Sequence, residues 1–135
     1  MLLLNIVCAW PVFCQDGPSI SVIDFVKIKD GRTAEAMFFY ENNWKVYRDR
    51  ALKEGFIRSY RLLKTEPEAG ADFDLLLITE FANAEQLKLS EERFNRIIKE
   101  INPGGPKLLN NLPQAEFRQN LYSKTAETIF FAAQK

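Results

Sequence analysis

Histidine is absent from this chain, and cysteine occurs only at Cys8 and Cys14. The first absence removes the imidazole base, the Ser-His triad, and His-ligated zinc or haem. Excess charge of one sign is missing too. Lys and Arg total 18 and so do Asp and Glu, so no whole-molecule field draws in nucleic acid or an anionic membrane. No P-loop, dinucleotide fingerprint or nucleophile elbow occurs. A stable membrane span needs about 20 apolar residues, and no run of that length is present. Metal and cofactor sites are therefore not expected; Asp72 and Asp74, two apart, are read as hairpin solubility.

What is there begins with an apolar, uncharged start, Met1 to Cys14, followed by the polar break Gln15-Asp16-Gly17-Pro18. It resembles the hydrophobic region of a secretory signal cleaved after Cys14, with Val12 and Cys14 at the selective positions, although a basic leading region is lacking. Residues 1–14 are thus expected to be a signal peptide, 15–18 a linker and 19–135 one α+β domain. Export to the periplasm or beyond follows from that reading; an intact N-terminal arm would instead leave the protein cytoplasmic. Cleavage would remove both cysteines, leaving no thiolate nucleophile, no disulfide and no iron–sulfur cluster. The core must then suffice alone, which is feasible at about 120 residues, where roughly two-thirds of the surface is buried.

Along the domain, Ser19–Lys29 is β-branched and reads as a strand ended by Asp30-Gly31. Ala34–Leu52 follows as a helix, with Ala36, Met37, Tyr40, Trp44, Tyr47 and Ala51 on one face and Phe39 and Val46 nearly opposite. The latter two need cover from Phe130-Phe131 or from another subunit. Gly55 stops the helix. Phe56–Lys64 and Phe73–Phe81 read as strands joined by a hairpin loop, Thr65–Ala71. Leu75-Leu76-Leu77-Ile78 suits a central strand covered on both faces. Asn83 and Gln86 form a capping box for a second helix striped by Leu87, Phe94, Ile97, Ile98 and Ile101. Pro103-Gly104-Gly105-Pro106 breaks the chain, Lys107–Leu112 suits one short helical turn, and Phe117–Phe131 reads as a last strand. The order β-α-β-β-α-β is the split βαβ of a ferredoxin-like sandwich, an antiparallel four-stranded sheet with two helices on one face.

On these residues the chain resembles the dimeric α/β-barrel superfamily, in particular small exported bacterial proteins of unassigned function. The likeness lies in Val26-Lys27-Ile28-Lys29-Asp30-Gly31, in Glu41 and Trp44-Lys45, in Gly55, Ile57 and Tyr60, and in Phe73 with Thr79-Glu80-Phe81. The resemblance implies a homodimer whose two sheets close into a barrel, with ligands held between sheet and helices or inside the barrel. Some members are cofactor-free monooxygenases, haem-degrading proteins or isomerases. The haem branches rely on histidine, and the Asn-Trp-Arg arrangement of the monooxygenases is only superficially matched by Asn42, Asn43 and Trp44.

Asp24 shares a strand face with Val22, Val26 and Ile28, where an unpaired buried carboxylate is costly. It needs a partner, a wet cavity or a frayed strand end, and Arg58 is the candidate partner. Trp44, with Tyr40 and Tyr47, is either core or an aromatic wall for a flat ligand with polar handles. Glu41 and Arg48 are expected to form a helix-edge ion pair of a few tenths of a kcal/mol. The expected site is lined by Asp24, Trp44, Arg58, Tyr60 and Tyr122, for a small apolar or aromatic ligand. The leading reading is a small-molecule-binding protein. An alternative is a cofactor-free oxygenase or isomerase on an aromatic or conjugated substrate, with Asp24 or Glu80 as acid/base and Arg58 stabilising the anion. A purely structural dimerisation module is the third.

Overall fold

A computed structural model describes residues 17–134; the expected signal peptide, 1–14, lies outside them. Four antiparallel strands form one sheet: β1 (Ile20–Ile28), β2 (Ser59–Lys64), β3 (Leu75–Phe81) and β4 (Arg118–Glu127). Their order is β2-β3-β1-β4. The two strands that bracket each helical segment are thus never neighbours, as the split βαβ arrangement requires. Opposite Val22, Asp24 and Val26 of β1 stand Thr79, Leu77 and Leu75 of β3. Tyr60 and Leu62 of β2 continue those rows. This face carries the buried Val26, Ile28, Leu75 and Leu77, packed on the helices in one core with Ala36, Tyr40 and Phe117.

The long helix expected over Ala34–Leu52 is not uniform. It runs as α1 (Thr33–Phe39), a π-helical turn (Tyr40–Trp44) and α2 (Lys45–Lys53). The wide turn is closed by the Lys45 amide donating to the Tyr40 carbonyl, five residues back. Two adjacent asparagines, poor helix formers with side chains that compete for backbone partners, sit in it. Asn42 Nδ2 donates to Phe38 O at 2.9 Å and Asn43 Nδ2 to Phe39 O at 3.0 Å. The extra residue in the turn shifts the helix phase, and this corrects the placement of Phe39. It is buried, in contact with Tyr40 and with the Phe117 ring at 5.7 Å. Phe130 and Phe131 cover nothing on the helix; they are 95% and 75% exposed.

Gly55 ends α2 at φ +72°, with Phe56 N donating to Ala51 O and Gly55 N to Leu52 O, the paired bonds of a Schellman stop. The expected cap forms with one difference: Gln86 N donates to Asn83 Oδ1, while Gln86 Oε1 accepts from Ala82 N, one residue before the N-cap amide of a capping box, each at 3.0 Å. It opens α3 (Ala84–Lys88), which α4 (Ser90–Ile101) continues. Ile97 and its neighbours pack with Tyr47, Ala51, Ile57 and Phe81 as a second core. The helical turn expected over Lys107–Leu112 is a 3-10 turn at Leu109–Asn111, and a further short helix, α5 (Gln114–Phe117), precedes β4. The last strand therefore begins at Arg118 and ends at Glu127, shorter than its alternation suggests. A bulge interrupts its pairing: Phe25 faces Tyr122 and Val26 faces Asn120, leaving Leu121 unmatched.

Candidate functional site

Between the sheet and the helices lies a cavity of about 340 Å³, at the lower end of the small-molecule range of about 300–1,000 Å³. Its floor is Asp24, Val26 and Leu77 from the sheet. Its wall is Phe39, Tyr40, Trp44, Tyr47 and Arg48 from the interrupted helix. Ile98, Pro106, Gln114, Arg118 and Asn120 complete it. The π-helical turn matters here, because Tyr40, Asn43 and Trp44 are all buried within five residues.

Asn43 is wholly buried and holds the rim in place. Its Nδ2 donates to Phe39 O and, at 2.8 Å, to Lys107 O; its Oδ1 accepts from Lys107 N at 2.7 Å and from Asn102 Nδ2 at 3.1 Å. Asn102 also donates to the Tyr47 hydroxyl at 2.7 Å. The Pro103–Pro106 break is thereby fastened beside the cavity at both ends.

The cavity's polar groups are poorly partnered by the protein itself. Tyr40 Oη, Trp44 Nε1 and Arg118 Nε are buried without a hydrogen bond, an uncommon condition that costs about 1–3 kcal/mol per group. Burial holds the Tyr40 phenol above its ordinary range, and the neighbouring Arg118 charge works against that without forming a hydrogen bond of good geometry. Arg48 packs its guanidinium over Trp44, 4.7 Å from the ring centroid, and over Phe94, at 4.3 Å. Its Nε donates to Thr79 Oγ1 at 3.3 Å. Burial pushes Arg48 down to about 10, while the Asp24 carboxylate draws it back up; it is still a cation at neutral pH. Arg118 lies over the Phe39 ring at 4.9 Å and donates to Gln114. Asp24 accepts from Ser123 Oγ.

Of the residues singled out from sequence, Asp24 and Trp44 line this cavity together with Tyr40 and Tyr47 of the expected aromatic wall, and Arg58, Tyr60, Tyr122 and Glu80 do not. Arg58 is not the partner of Asp24: it lies 4.0 Å from Glu80 instead. Asp24 is in register with Leu77 and, through it, with Leu62. Arg58 sits four residues before Leu62, about 13 Å along the sheet at about 3.3 Å per residue and two strands away. Glu80 accepts from Ser59 at 2.7 Å, which holds its carboxyl below the usual range; it pairs with Ser21 and Ser59, on the sheet face turned away from the cavity. Tyr60 meets Trp44 edge-on at 5.5 Å, but its hydroxyl turns outward to Asp49. Tyr122 stacks on Phe25 at 4.6 Å on the far face of the sheet, half exposed. The ion pair expected between Glu41 and Arg48 does not form, because Arg48 is drawn under Phe94. Asp74 accepts from Ile28 N at 2.7 Å and lies 3.4 Å from Lys27 Nζ, so it is committed to the end of the two central strands. Among the described residues no group of three Cys, Asp or Glu could hold a metal ion, and no helix is long and apolar enough to cross a membrane.

Sequence reading missed Arg48 and Arg118 as site residues, while Tyr40 stands where the expected aromatic wall placed it. Arg48 follows Trp44 by one helical turn on the aromatic stripe, a cation-on-ring spacing that was legible. Arg118 carried no such signal, since a bulge and a short helix decide where it points.

No family model matches the chain, and no curated protein matches it. Among solved structures it is similar to HapK from Hahella chejuensis, with a TM-score of 0.54 and 10% identity over 85% of this chain and 99% of that one. It is also similar to a dimeric protein of unknown function and ferredoxin-like fold from Bacteroides fragilis, with a TM-score of 0.47 and 14% identity over 83% and 96% of the two chains. At such identities the likeness concerns architecture alone. With the strand order and the helices on one face, the chain is an α+β protein of ferredoxin-like fold.

Proposed function

We propose that this chain is a small-molecule-binding protein whose ligand occupies the cavity between sheet and helices. One observation carries the reading: three of the residues that line it, Tyr40, Trp44 and Arg118, each hold a buried polar atom, Oη, Nε1 and Nε, that lacks a partner within the protein. A fold stabilised by only about 5–15 kcal/mol does not leave three such groups unmatched in one place without use for them. Native mass spectrometry of the protein purified from its own host tests this. A reproducible small-molecule mass that disappears in Asn120→Trp, which blocks the rim, is the expected result; a clean unliganded chain counts against it. The same preparation tests export, since a mature chain beginning at Gln15 is expected.

A cofactor-free enzyme is the second reading, favoured by the Asp24 carboxylate facing two arginines across one cavity. Asp24 would take the proton and Arg48 or Arg118, in place of Arg58, would stabilise the resulting anion. Asp24→Asn separates the readings: turnover lost with binding retained supports catalysis.

A homodimer through the open sheet face agrees with both. That face carries Phe25 stacked with Tyr122, and Leu63, which with Tyr122 is about half exposed, 45% and 47%. Light scattering is expected to give twice the chain mass and Tyr122→Lys to halve it; a wild-type monomer removes the dimer.

A further inference from the structure

We infer that the sheet–helix cavity takes an organic anion, its charged group received between Arg48 and Arg118 and hydrogen-bonded by Tyr40 and Trp44. The inference rests on the reading of this cavity as a ligand site and names the ligand's chemical class.

Two kinds of observation point the same way. The first is the donor inventory. Trp44 Nε1 and Arg118 Nε can only donate, and Tyr40 Oη can donate. The residues that line the cavity therefore hold three donors with no acceptor matched to them. A carboxylate, sulfonate or enolate brings several lone pairs on adjacent oxygens and can serve more than one of these donors at once. A neutral hydrocarbon would bury all three donors permanently, and an ammonium would add more donors to a site already in excess.

The second is charge. Arg48 and Arg118 line the cavity against Asp24, leaving one positive charge in excess. Among the described residues every ion pair within 4 Å involves other cations, so neither guanidinium has a carboxylate at contact distance. Both are packed on ring faces instead, Arg48 on Trp44 and Phe94, Arg118 on Phe39. Half-buried cations held this way are poorly hydrated and gain most from an anion brought into the cavity. Asp24 offsets one of the two charges but stands within 4 Å of neither guanidinium, so it leaves room for a second anion between them. The remaining lining, with Val26, Leu77 and Ile98, is apolar, which suits a ligand with a hydrocarbon body behind its charged end.

The test uses two fluorescent probes of nearly the same body: 1-anilinonaphthalene-8-sulfonate and its uncharged parent, N-phenyl-1-naphthylamine. The anion is expected to bind the wild-type chain about 10-fold tighter or more, the worth of one charge-assisted hydrogen bond. Arg48→Met and Arg118→Met should each weaken it by about 10- to 100-fold and leave the neutral dye within about 3-fold. Asp24→Asn, which removes the opposing charge, should tighten the anion, and Arg48→Lys should keep part of the preference; these two variants retain the test if either Met variant fails to fold. Asn120→Trp, at the exposed rim, should exclude both dyes. If the neutral dye binds as well as the anion and Asn120→Trp excludes both, the cavity is a ligand site and the anion inference is wrong. If neither dye binds, or Asn120→Trp changes neither, the cavity reading falls and the anion inference with it.

Discussion

Asn43→Ala is the sharpest perturbation of the framework around the cavity. The side chain makes four hydrogen bonds, at 3.0, 2.8, 2.7 and 3.1 Å, from a position with no exposure. At about 1 kcal/mol net for each bond the loss would approach 4 kcal/mol. Lys107 is itself exposed, so water can reach its freed amide and carbonyl in part, and about 3 kcal/mol is the better expectation. For a domain of this size each kcal/mol lowers the melting temperature by about 4 °C, so a fall of about 12 °C is expected. Circular dichroism melts give that number. Hydrogen exchange at the Lys107 amide shows whether the rim segment has come loose from the helix. A fall below about 4 °C, with that amide still protected, would refute the assignment of the rim to Asn43. Asn43→Asp adds a signed control. It keeps the acceptor but sets a carboxylate oxygen against the Phe39 and Lys107 carbonyls. Its native pKa must then lie above the unfolded value of about 3.9, so the variant should be destabilised at neutral pH. It should regain stability as the pH falls and the carboxyl takes up the proton it needs to donate.

Two further predictions concern single contacts. Ser59→Ala should let the Glu80 carboxyl rise toward its ordinary range, read by NMR titration of that side chain. Because Glu80 is held low in the fold, its share of stability is present above the unfolded carboxylate pKa and fades as pH falls through the native one; the variant should show less of that acid-side loss. Gly55→Ala meets nothing within 4 Å, so its cost is that of a left-handed backbone alone, about 1–2 kcal/mol by urea denaturation; a larger loss would mean that the residue is packed.

The strands, the Asn83 cap and the Gly55 stop were legible because each rests on local chemistry: alternation, an amide at the N-cap, a positive φ. The site was half legible. Asp24 could be placed because β1 keeps strict alternation, so sharing a face with Val26 puts it against the helices. Tyr122 could not. Counting by twos from Asn120, which lies opposite Val26, would put Tyr122 on the cavity side, but Leu121 is unmatched and everything beyond it changes face. Arg58 failed for a different reason. Alternation tells which way a side chain turns and says nothing of how far along a neighbouring strand it stands. Phe39 failed because a helical wheel assumes 3.6 residues per turn throughout, and here one turn holds more.

That wide turn has a consequence for how this protein should be compared with others. Removing one residue between Tyr40 and Trp44 would restore a regular helix and rotate the preceding segment by about 100° relative to α2. Hydropathy and strand order would hardly change. Tyr40 and Phe39 would nevertheless leave the positions from which they wall the cavity. A gap of a single residue in an alignment of this helix is therefore more informative than overall identity: it separates chains that share only the architecture from those that keep this cavity wall.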